Sequence, residues 1–278
     1  MAHRLDPLLR PRSVAVIGAS EDNDSLGEWS LRNLKKGRYA GDIYPVNPRY
    51  DELQGVRCYK SLSALPQAPD LVIFAVGDHR VEAVLDEAIA VGAKAAVIMS
   101  ALVLDEDTVP PLRERIRKKV RDAGIVLCGA NGMGFYNVRD GVWACGFDSA
   151  DHDGPGNVAL ISQSGSGMSG LIDSEQRLFI NLAVSTGNEL DATMDEYLDF
   201  ALAIKVGRTQ KSAELAVSHS GAMAGDDATY DALFDRYGVQ RVRDMDELAT
   251  ALILFAEWPR VGDGGLVTLH DSGGERQL

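Results

Sequence analysis

Two glycine- and serine-containing segments directly follow apolar runs and have the residue types that bind anionic groups. Gly18, Ala19 and Ser20 follow the first run, and residues 162–167 (Ser-Gln-Ser-Gly-Ser-Gly) follow a later one. Glycine lets the backbone approach a ligand closely, and the free amides at the start of a helix favour a phosphate. The sequence therefore predicts two phosphate-binding loops, although a tight turn needed only for packing is an alternative for the first.

A histidine among small residues is the strongest candidate for covalent chemistry. His219 lies in the segment 218–225 (Ser-His-Ser-Gly-Ala-Met-Ala-Gly), whose small side chains leave the imidazole accessible. Imidazole is a good nucleophile and a good leaving group, so it suits phosphoryl relay as well as general-base catalysis. The other four histidines are interpreted as structural or solvated, with some reservation for His79 after a predicted strand. No two histidines have the spacing of metal ligands, and no metal site is expected.

The end of the second apolar run distinguishes between nucleotide ligands. Asn47, Pro48 and Arg49 stand where NAD-binding folds usually carry an Asp or Glu for the ribose. A positive residue there favours a phosphorylated ribose, as in NADP or coenzyme A (CoA), although a plain surface arginine is an alternative. Ser20 occupies the position of the second glycine in a dinucleotide-binding G-x-G-x-x-G, which also disfavours NAD.

Short apolar runs alternate with amphipathic stretches along the chain, which predicts an α/β fold with doubly wound sheets. Runs that are apolar throughout are typical of strands buried on both faces of a parallel sheet. The predicted strands are 13–17, 42–46, 71–76, 95–99, 125–128, 158–162 and 179–184.

The same alternation predicts the domain organisation. We expect a Rossmann-like domain at 1–148, a linker rich in Gly and Asp, and a second doubly wound domain at 157–260. The alternation breaks between Ala203 and Ile204, where one strand–helix unit is missing. Residues 264–278 open a further α/β unit, so the chain is interpreted as the front part of a longer protein.

Composition restricts the class of partner. The 278 residues contain 28 Lys and Arg against 41 Asp and Glu, a net charge of −13. This acidity argues against a nucleic-acid or anionic-membrane partner, but it allows small anions held by local amides. The three cysteines form no C-x-x-C pair, and neither a signal peptide nor an apolar run of membrane-spanning length is present. We expect a cytoplasmic protein without disulfides.

Five segments, in this order, resemble the NDP-forming (ADP-forming) acyl-CoA synthetases, relatives of the succinyl-CoA synthetase alpha subunit. They are residues 10–20 (Arg-Pro-Arg-Ser-Val-Ala-Val-Ile-Gly-Ala-Ser), 43–49 (Ile-Tyr-Pro-Val-Asn-Pro-Arg), 160–165 (Leu-Ile-Ser-Gln-Ser-Gly), 185–189 (Ser-Thr-Gly-Asn-Glu) and 218–225. The family has a CoA-binding Rossmann-like domain, flavodoxin-like ligase domains and an ATP-grasp domain. This chain corresponds to the CoA-binding and ligase domains.

The resemblance implies an acid–CoA ligase that works through an acyl phosphate and a phosphohistidine, with His219 matching that histidine. It implies that ATP and Mg²⁺ bind to an ATP-grasp domain in the rest of the chain or in a separate subunit, and that the chain forms a homo-oligomer. The implied CoA-binding residues are Gly18, Ala19, Ser20, Asn47, Arg49, Val76, Ser100, Ala101 and Asn131. Ser164, Gly165 and Ser166 match the phosphate-binding helix start, and Ser169 and Asn188 are expected near the carboxylic acid substrate.

The chain departs from the family pattern at three places. Residues 100–103 (Ser-Ala-Leu-Val) replace Ser-Ala-Gly-Phe, and residues 129–134 (Gly-Ala-Asn-Gly-Met-Gly) replace Gly-Pro-Asn-Cys-Leu-Gly. Both segments border the CoA thiol and acyl region in the family, so they bear on substrate choice. A glutamate that steadies the phosphohistidine has no counterpart near Ala203. Either its segment is missing from this sequence, or the chain cannot complete the relay.

Two other functions are alternatives. The first is a CoA-responsive regulatory module without catalysis, against which the retained His219 argues, because regulatory relatives tend to lose that histidine. The second is an NADP-dependent dehydrogenase, which the missing G-x-G-x-x-G and the absent ribose carboxylate disfavour.

Overall fold

The computed structural model describes residues 3–148, 154–174, 177–204, 242 and 245–257. The chain divides into two units, Met1–Arg241 and Val242–Leu278. The described elements of the first are α1 (Asp6–Leu9), β1 (Ser13–Ile17), α2 (Leu26–Lys36), β2 (Asp42–Val46), β3 (Glu52–Leu53), β4 (Val56–Arg57), a 3-10 helix (Leu62–Ala64), β5 (Leu71–Phe74), α3 (Asp78–Ala90), β6 (Ala95–Ile98), α4 (Leu112–Ala123), β7 (Val126–Gly129), β8 (Gly134–Asn137), β9 (Val142–Cys145), β10 (Val158–Ser162), α5 (Gly165–Ser174), β11 (Ile180–Ser185) and α6 (Met194–Ile204). The second unit contains α7 (Met245–Glu257). Within these ranges, every helix is too short or too polar to span a lipid bilayer.

Five parallel strands form the main sheet in the order β2-β1-β5-β6-β7. Every residue of β1, β5, β6 and β7 is buried, as expected from their uniformly apolar sequences. Alternate side chains point to opposite faces: Val14 and Val16 join the cluster of Leu31 in α2. Ala15 and Ile17 instead join the buried residues of α3 and α4. Helices therefore cover both faces, and the predicted doubly wound α/β fold is confirmed.

The second sheet has the order β10-β11-β8-β9 and combines parallel with antiparallel pairs. Its hairpin β8–β9 precedes the predicted linker, and the sequence analysis did not predict it. Phe135 of β8 and Leu182 of β11 belong to the same buried cluster as Val14 of β1, so one core connects the two sheets. The domain boundaries at 148 and 157 stay predictions.

The three cysteines are free and buried, as Cys58, Cys128 and Cys145. Burial raises the pKa of the Cys128 thiol to about 11 and that of Cys145 to about 12. Because the thiolate is the reactive form, both of these sulfurs are inert near neutral pH. Burial and the raised pKa values both disfavour nucleophilic chemistry at these two positions.

The buried carboxylate of Asp70 connects three strands at the amino-terminal edge of the main sheet. It accepts hydrogen bonds from Arg12 N at 3.0 Å, Arg12 Nε at 3.2 Å and Lys94 Nζ at 2.7 Å. Burial by itself raises the pKa of Asp70, but the hydrogen bonds from Lys94 and Arg12 outweigh it, and the net pKa is lowered. Such a carboxyl stabilises the fold above its unfolded pKa of about 4, and this contribution is lost as the pH falls through the folded value.

We expect Asp70→Asn to lower the free energy of unfolding at pH 7 by about 1 to 3 kcal/mol, because the cationic donors lose their charged acceptor. The difference from the wild type should shrink below a pH of about 4, where the wild-type carboxyl also becomes neutral. Urea unfolding at a series of pH values measures both effects.

Asp51→Asn is the matched control for this experiment. Asp51 accepts from Lys60 Nζ at the same 2.7 Å, but its side chain is 95% exposed. Exposed ion pairs contribute little to stability, so this variant should unfold like the wild type. Equal effects of the two substitutions, or an Asp70→Asn effect that does not change with pH, would contradict the assigned role of Asp70.

Candidate functional site

A cleft of about 700 Å³ lies at the carboxyl ends of the main-sheet strands. Its walls come from the segments that follow β1, β2, β5 and β6, and they include Gly18, Asn47, Val76 and Ser100. In the order β2-β1-β5, the direction of winding reverses between β1 and β5. Ligands of open α/β sheets bind at this reversal, outside the carboxyl ends of the strands. The cleft is therefore the candidate ligand site.

Two glycines let backbone segments meet at the base of the cleft. Gly18 has a φ of +81°, and a Cβ there would lie 2.2 Å from Ala75 O, just after β5. Gly27 is in the first turn of α2, and a Cβ there would lie 2.1 Å from Gly18 O. Gly18 was predicted from the sequence, whereas Gly27 was not. Gly27 provides the close helix–strand packing that the third glycine of a G-x-G-x-x-G provides.

The first predicted loop extends further than Ser20 and ends in a helix cap. Ser25 caps α2, and its Oγ accepts a hydrogen bond from Glu28 N at 3.1 Å. Ser20 Oγ lies 2.9 Å from Ser25 Oγ and accepts from Asp22 N at 3.2 Å, so it shapes the loop. The spacing of Ser25 and Glu28 is the S-x-x-E signature of a helix start, which could have located this cap in the sequence.

Asn47 and Arg49 have different roles at the end of β2. Asn47 is buried; its Nδ2 donates to Ala19 O at 2.8 Å and its Oδ1 accepts from Arg49 N at 3.0 Å. Both ends of this amide are thus used to brace the loop. The Arg49 side chain is 64% exposed, lies over the Tyr50 ring and is 3.4 Å from Asp22 Oδ2. Its guanidinium is accessible at the rim of the cleft.

The hydroxyl of Ser100 is buried at the cleft without a hydrogen-bond partner among the described residues. Leaving a buried hydroxyl unpaired costs free energy, which a hydrogen bond to a ligand would recover. Ser100 O accepts from Asn131 N at 2.9 Å, so the predicted residue Asn131 lies directly behind Ser100. Ala101 follows it and is half-buried, and Val76 forms a buried part of the opposite wall.

The second predicted phosphate loop forms the start of α5. Ser164 Oγ accepts a hydrogen bond from Gly167 N at 3.1 Å, which caps the helix. Gly165 and Ser166 belong to the first turn, whose amides have no intrahelical acceptors and suit an anion. The Ser166 side chain is exposed beside them.

The two residues expected near the acid substrate have separate surroundings. Ser169 Oγ donates to Ser166 O at 3.3 Å within α5. Asn188 N donates to Ala130 O at 2.7 Å, which connects the segment after β11 to the segment after β7. A Cβ on Gly187 would lie 2.2 Å from Ala130 O. These two segments therefore pack backbone against backbone, and glycine at 187 permits it.

A line of contacts leads from the cleft to the start of α5. A Cβ on Gly146 would lie 2.4 Å from Met99 Sδ and 2.8 Å from Leu26 Cδ2, and Leu26 lines the cleft. The same Cβ would be 3.5 Å from Met133 Cε. A Cβ on Gly165 would be 2.3 Å from Met133 Cγ. Gly146 and Met133 therefore lie between Leu26, at the cleft, and the start of α5.

The predicted nucleophile His219 lies outside the described residues, as do all of 205–241 and 258–278. Ala203 and Ile204, where the sequence analysis expected a missing unit, are both in α6.

Residues 12–137, which include the cleft-lining segments, match the family described as a CoA binding domain. Residues 201–255 match the succinyl-CoA ligase like flavodoxin domain. An ADP-forming acetate–CoA ligase from Methanocaldococcus jannaschii is 29% identical over 95% of the chain. The alpha subunit of an ADP-forming acetate–CoA ligase II from Pyrococcus furiosus is 28% identical over 91% of it. The chain is related to the ADP-forming acyl-CoA synthetases.

A solved synthetase structure has the same fold. The acetyl-coenzyme A synthetase 1 of Ca. Korarchaeum cryptofilum, in complex with phosphate and ADP, superposes with a TM-score of 0.74 over 89% of this chain, at 28% identity. The chain spans 62% of that structure, 42% of the Methanocaldococcus synthetase and 63% of the Pyrococcus subunit. The alignment with the Methanocaldococcus synthetase extends over 303 positions, more than the 278 residues of the chain, so that relative has segments without a counterpart here.

Two departures from the synthetase pattern lie in the described site. Leu102, which stands where the pattern has glycine, has a φ of +58°. Gly132 stands where the pattern has cysteine, and a Cβ there would lie 2.6 Å from Ser185 O. At position 102 the backbone keeps a conformation that suits glycine although the residue is leucine, and at position 132 it leaves no room for the side chain of a cysteine.

Proposed function

We propose that the chain supplies the CoA-binding and phosphohistidine parts of an ADP-forming acid–CoA ligase. The observation that carries this proposal is the cleft at the β1–β5 reversal. It combines close backbone approach at Gly18 with a buried Ser100 hydroxyl that has no partner in the described part of the chain. CoA supplies the thiol that displaces phosphate from an acyl phosphate.

The charges and dipoles around the cleft suit the phosphates of CoA despite the net charge of −13. The starts of α2 and α3 both border the cleft, and helix N-termini stabilise anions. Arg49 and Arg80 also line it and provide exposed positive charge. The loop from Gly18 to Ser20 would hold the phosphates through its amides, while the Ser100 hydroxyl would bind a polar group further along the molecule.

The start of α5 and His219 carry the proposed phosphoryl transfer. A carboxylate attacks phosphohistidine at His219 to give an acyl phosphate, and the transferred phosphoryl group lies against the amides of Gly165 and Ser166. The capped first turn of α5 and its position next to Met133, beside the cleft, support this arrangement. His219 then accepts a phosphoryl group from ATP to begin the next cycle.

ATP with Mg²⁺ would be bound outside this chain, by an ATP-grasp domain in a longer protein or a separate subunit. The relative that is itself an alpha subunit supports a two-part enzyme. We further propose a carboxylic acid as the substrate, with Ser169 and Asn188 near its pocket, a cytoplasmic location and a homo-oligomeric assembly.

Calorimetric titration of the chain with CoA, NADP and NAD tests the cleft assignment. We expect CoA to bind and the two dinucleotides to give little or no heat. Ser100→Ala should weaken CoA binding about three- to tenfold, because one hydrogen bond is lost, yet leave stability unchanged or higher, because an unpaired buried hydroxyl is removed. Binding of NADP without CoA would overturn the proposal in favour of a dehydrogenase.

A CoA-responsive module without catalysis remains the second candidate. The longer alignment with the Methanocaldococcus synthetase supports it, because segments are missing here that the relative has. Phosphorylation of His219 separates the two candidates.

A further inference from the structure

We propose that Asp78 is a positioning residue for the CoA site: it holds the turn that follows Ser100 in its left-handed conformation. This inference rests on the proposed function, since it assigns a role to the wall of the CoA cleft. Asp78 opens α3 and lines the cleft. A carboxylate in a cleft for an anionic ligand requires a physical reason, because it repels phosphate.

The hydrogen bonds of Asp78 supply that reason. Its Oδ1 accepts from Leu102 N at 2.9 Å and its Oδ2 accepts from Val103 N at 3.1 Å. Both carboxylate oxygens are therefore directed to two consecutive backbone amides of the turn. Hydrogen bonds to a charged acceptor are stronger than neutral ones, so the pair restrains the turn firmly.

The turn needs such a restraint because Leu102 has a φ of +58°, which disfavours every residue with a Cβ except in special surroundings. The Leu102 side chain is only 3% exposed and packs in the cluster of Val76 and Ala130. The side chain of Leu102 thus belongs to the buried core, while its backbone belongs to the turn that follows Ser100 in the cleft wall. Without Asp78, the strained backbone would relax, and Ser100 two residues earlier would shift.

Three variants test this as a cycle: Asp78→Ala, Leu102→Gly and the double variant. Asp78→Ala is expected to weaken CoA binding about tenfold, the equivalent of 1.4 kcal/mol. In the L102G background the same substitution should change CoA affinity less than about threefold, because glycine adopts a positive φ without restraint. Each comparison is made within one background, so any loss of stability from removing the leucine side chain cancels.

Asp107→Ala is the matched control. Asp107 also accepts from two backbone amides, Thr108 N at 2.8 Å and Leu112 N at 2.7 Å, but it is not among the residues that line the cleft. Asp107→Ala should therefore leave CoA affinity unchanged. Equal losses from Asp78→Ala in both backgrounds would mean that Asp78 acts directly on CoA or through α3, and would overturn the inference.

Amide hydrogen exchange of residues 100–104 gives a readout that does not require CoA. Asp78→Ala should accelerate exchange there, and Asp107→Ala should not. If the wild type fails to bind CoA but Asp78→Ala still accelerates exchange in this segment, the proposed function fails while the restraint of the turn stands. Unchanged exchange in Asp78→Ala would overturn the restraint itself.

Discussion

Replacing Gly18 with alanine is expected to abolish CoA binding and to lower the free energy of unfolding by about 3 to 5 kcal/mol. Two effects add. The φ of +81° is unfavourable for alanine, and the new Cβ would lie 2.2 Å from Ala75 O, far inside contact distance. Relief of that overlap requires β1 and β5 to separate at the point where the cleft opens between them. Urea unfolding and CoA titration measure the two consequences.

Gly92→Ala isolates the conformational part of this effect. Gly92 has a φ of +83°, almost the value at Gly18, but a Cβ there would meet no atom within 4 Å. Gly92→Ala should lower the free energy of unfolding by about 1 to 2 kcal/mol, and CoA affinity should remain that of the wild type. Equal stability of the two variants would contradict the close contact between Gly18 and Ala75 O, just after β5. If Gly18→Ala binds CoA normally, the ligand does not use this loop.

Incubation of the chain with an acyl-CoA and radiolabelled phosphate is expected to label His219. Run in reverse, the proposed chemistry does not use ATP: phosphate attacks the thioester and releases the CoA thiol, giving an acyl phosphate. The imidazole of His219 then attacks phosphorus and releases the carboxylate. The label should be acid-labile and base-stable, as expected of a phosphohistidine, and His219→Asn should abolish it completely.

The matched control is His152→Asn, at a histidine for which the sequence predicts no catalytic role and which lies outside the described residues; this variant should keep full labelling. Acetyl-CoA is the first acyl donor to use, followed by longer aliphatic and aromatic ones, because the segments 100–103 and 129–134 depart from the family pattern. Label on a residue other than His219 would refute the relay. CoA binding without label from any donor would instead establish the CoA-responsive module.

The glycines show how far sequence reasoning extends into the site. Gly18 was identifiable because it directly follows an apolar strand, and the rule that ligands bind at strand ends does not depend on distant contacts. Gly27 was missed because its importance comes from the approach of α2 to Gly18 O, a contact across an eight-residue loop. Ser25 and Glu28 are an intermediate case, since their capping spacing is local and was present in the sequence.

The amino-acid sequence by itself determined the α/β class, the seven principal strands and the position of the two loops that follow strands and precede helices, because burial on both faces and helix starts leave local patterns. Only the tertiary structure decided that the hairpin β8–β9 joins the second sheet, and that Gly146 and Met133 lie between Leu26 at the cleft and the start of α5. It also showed that Asn47 braces the loop, that the Ser100 hydroxyl has no hydrogen-bond partner within the described residues, and that Asp78 accepts a hydrogen bond from Leu102 N. These features depend on contacts between segments far apart in the chain, which local periodicity does not encode.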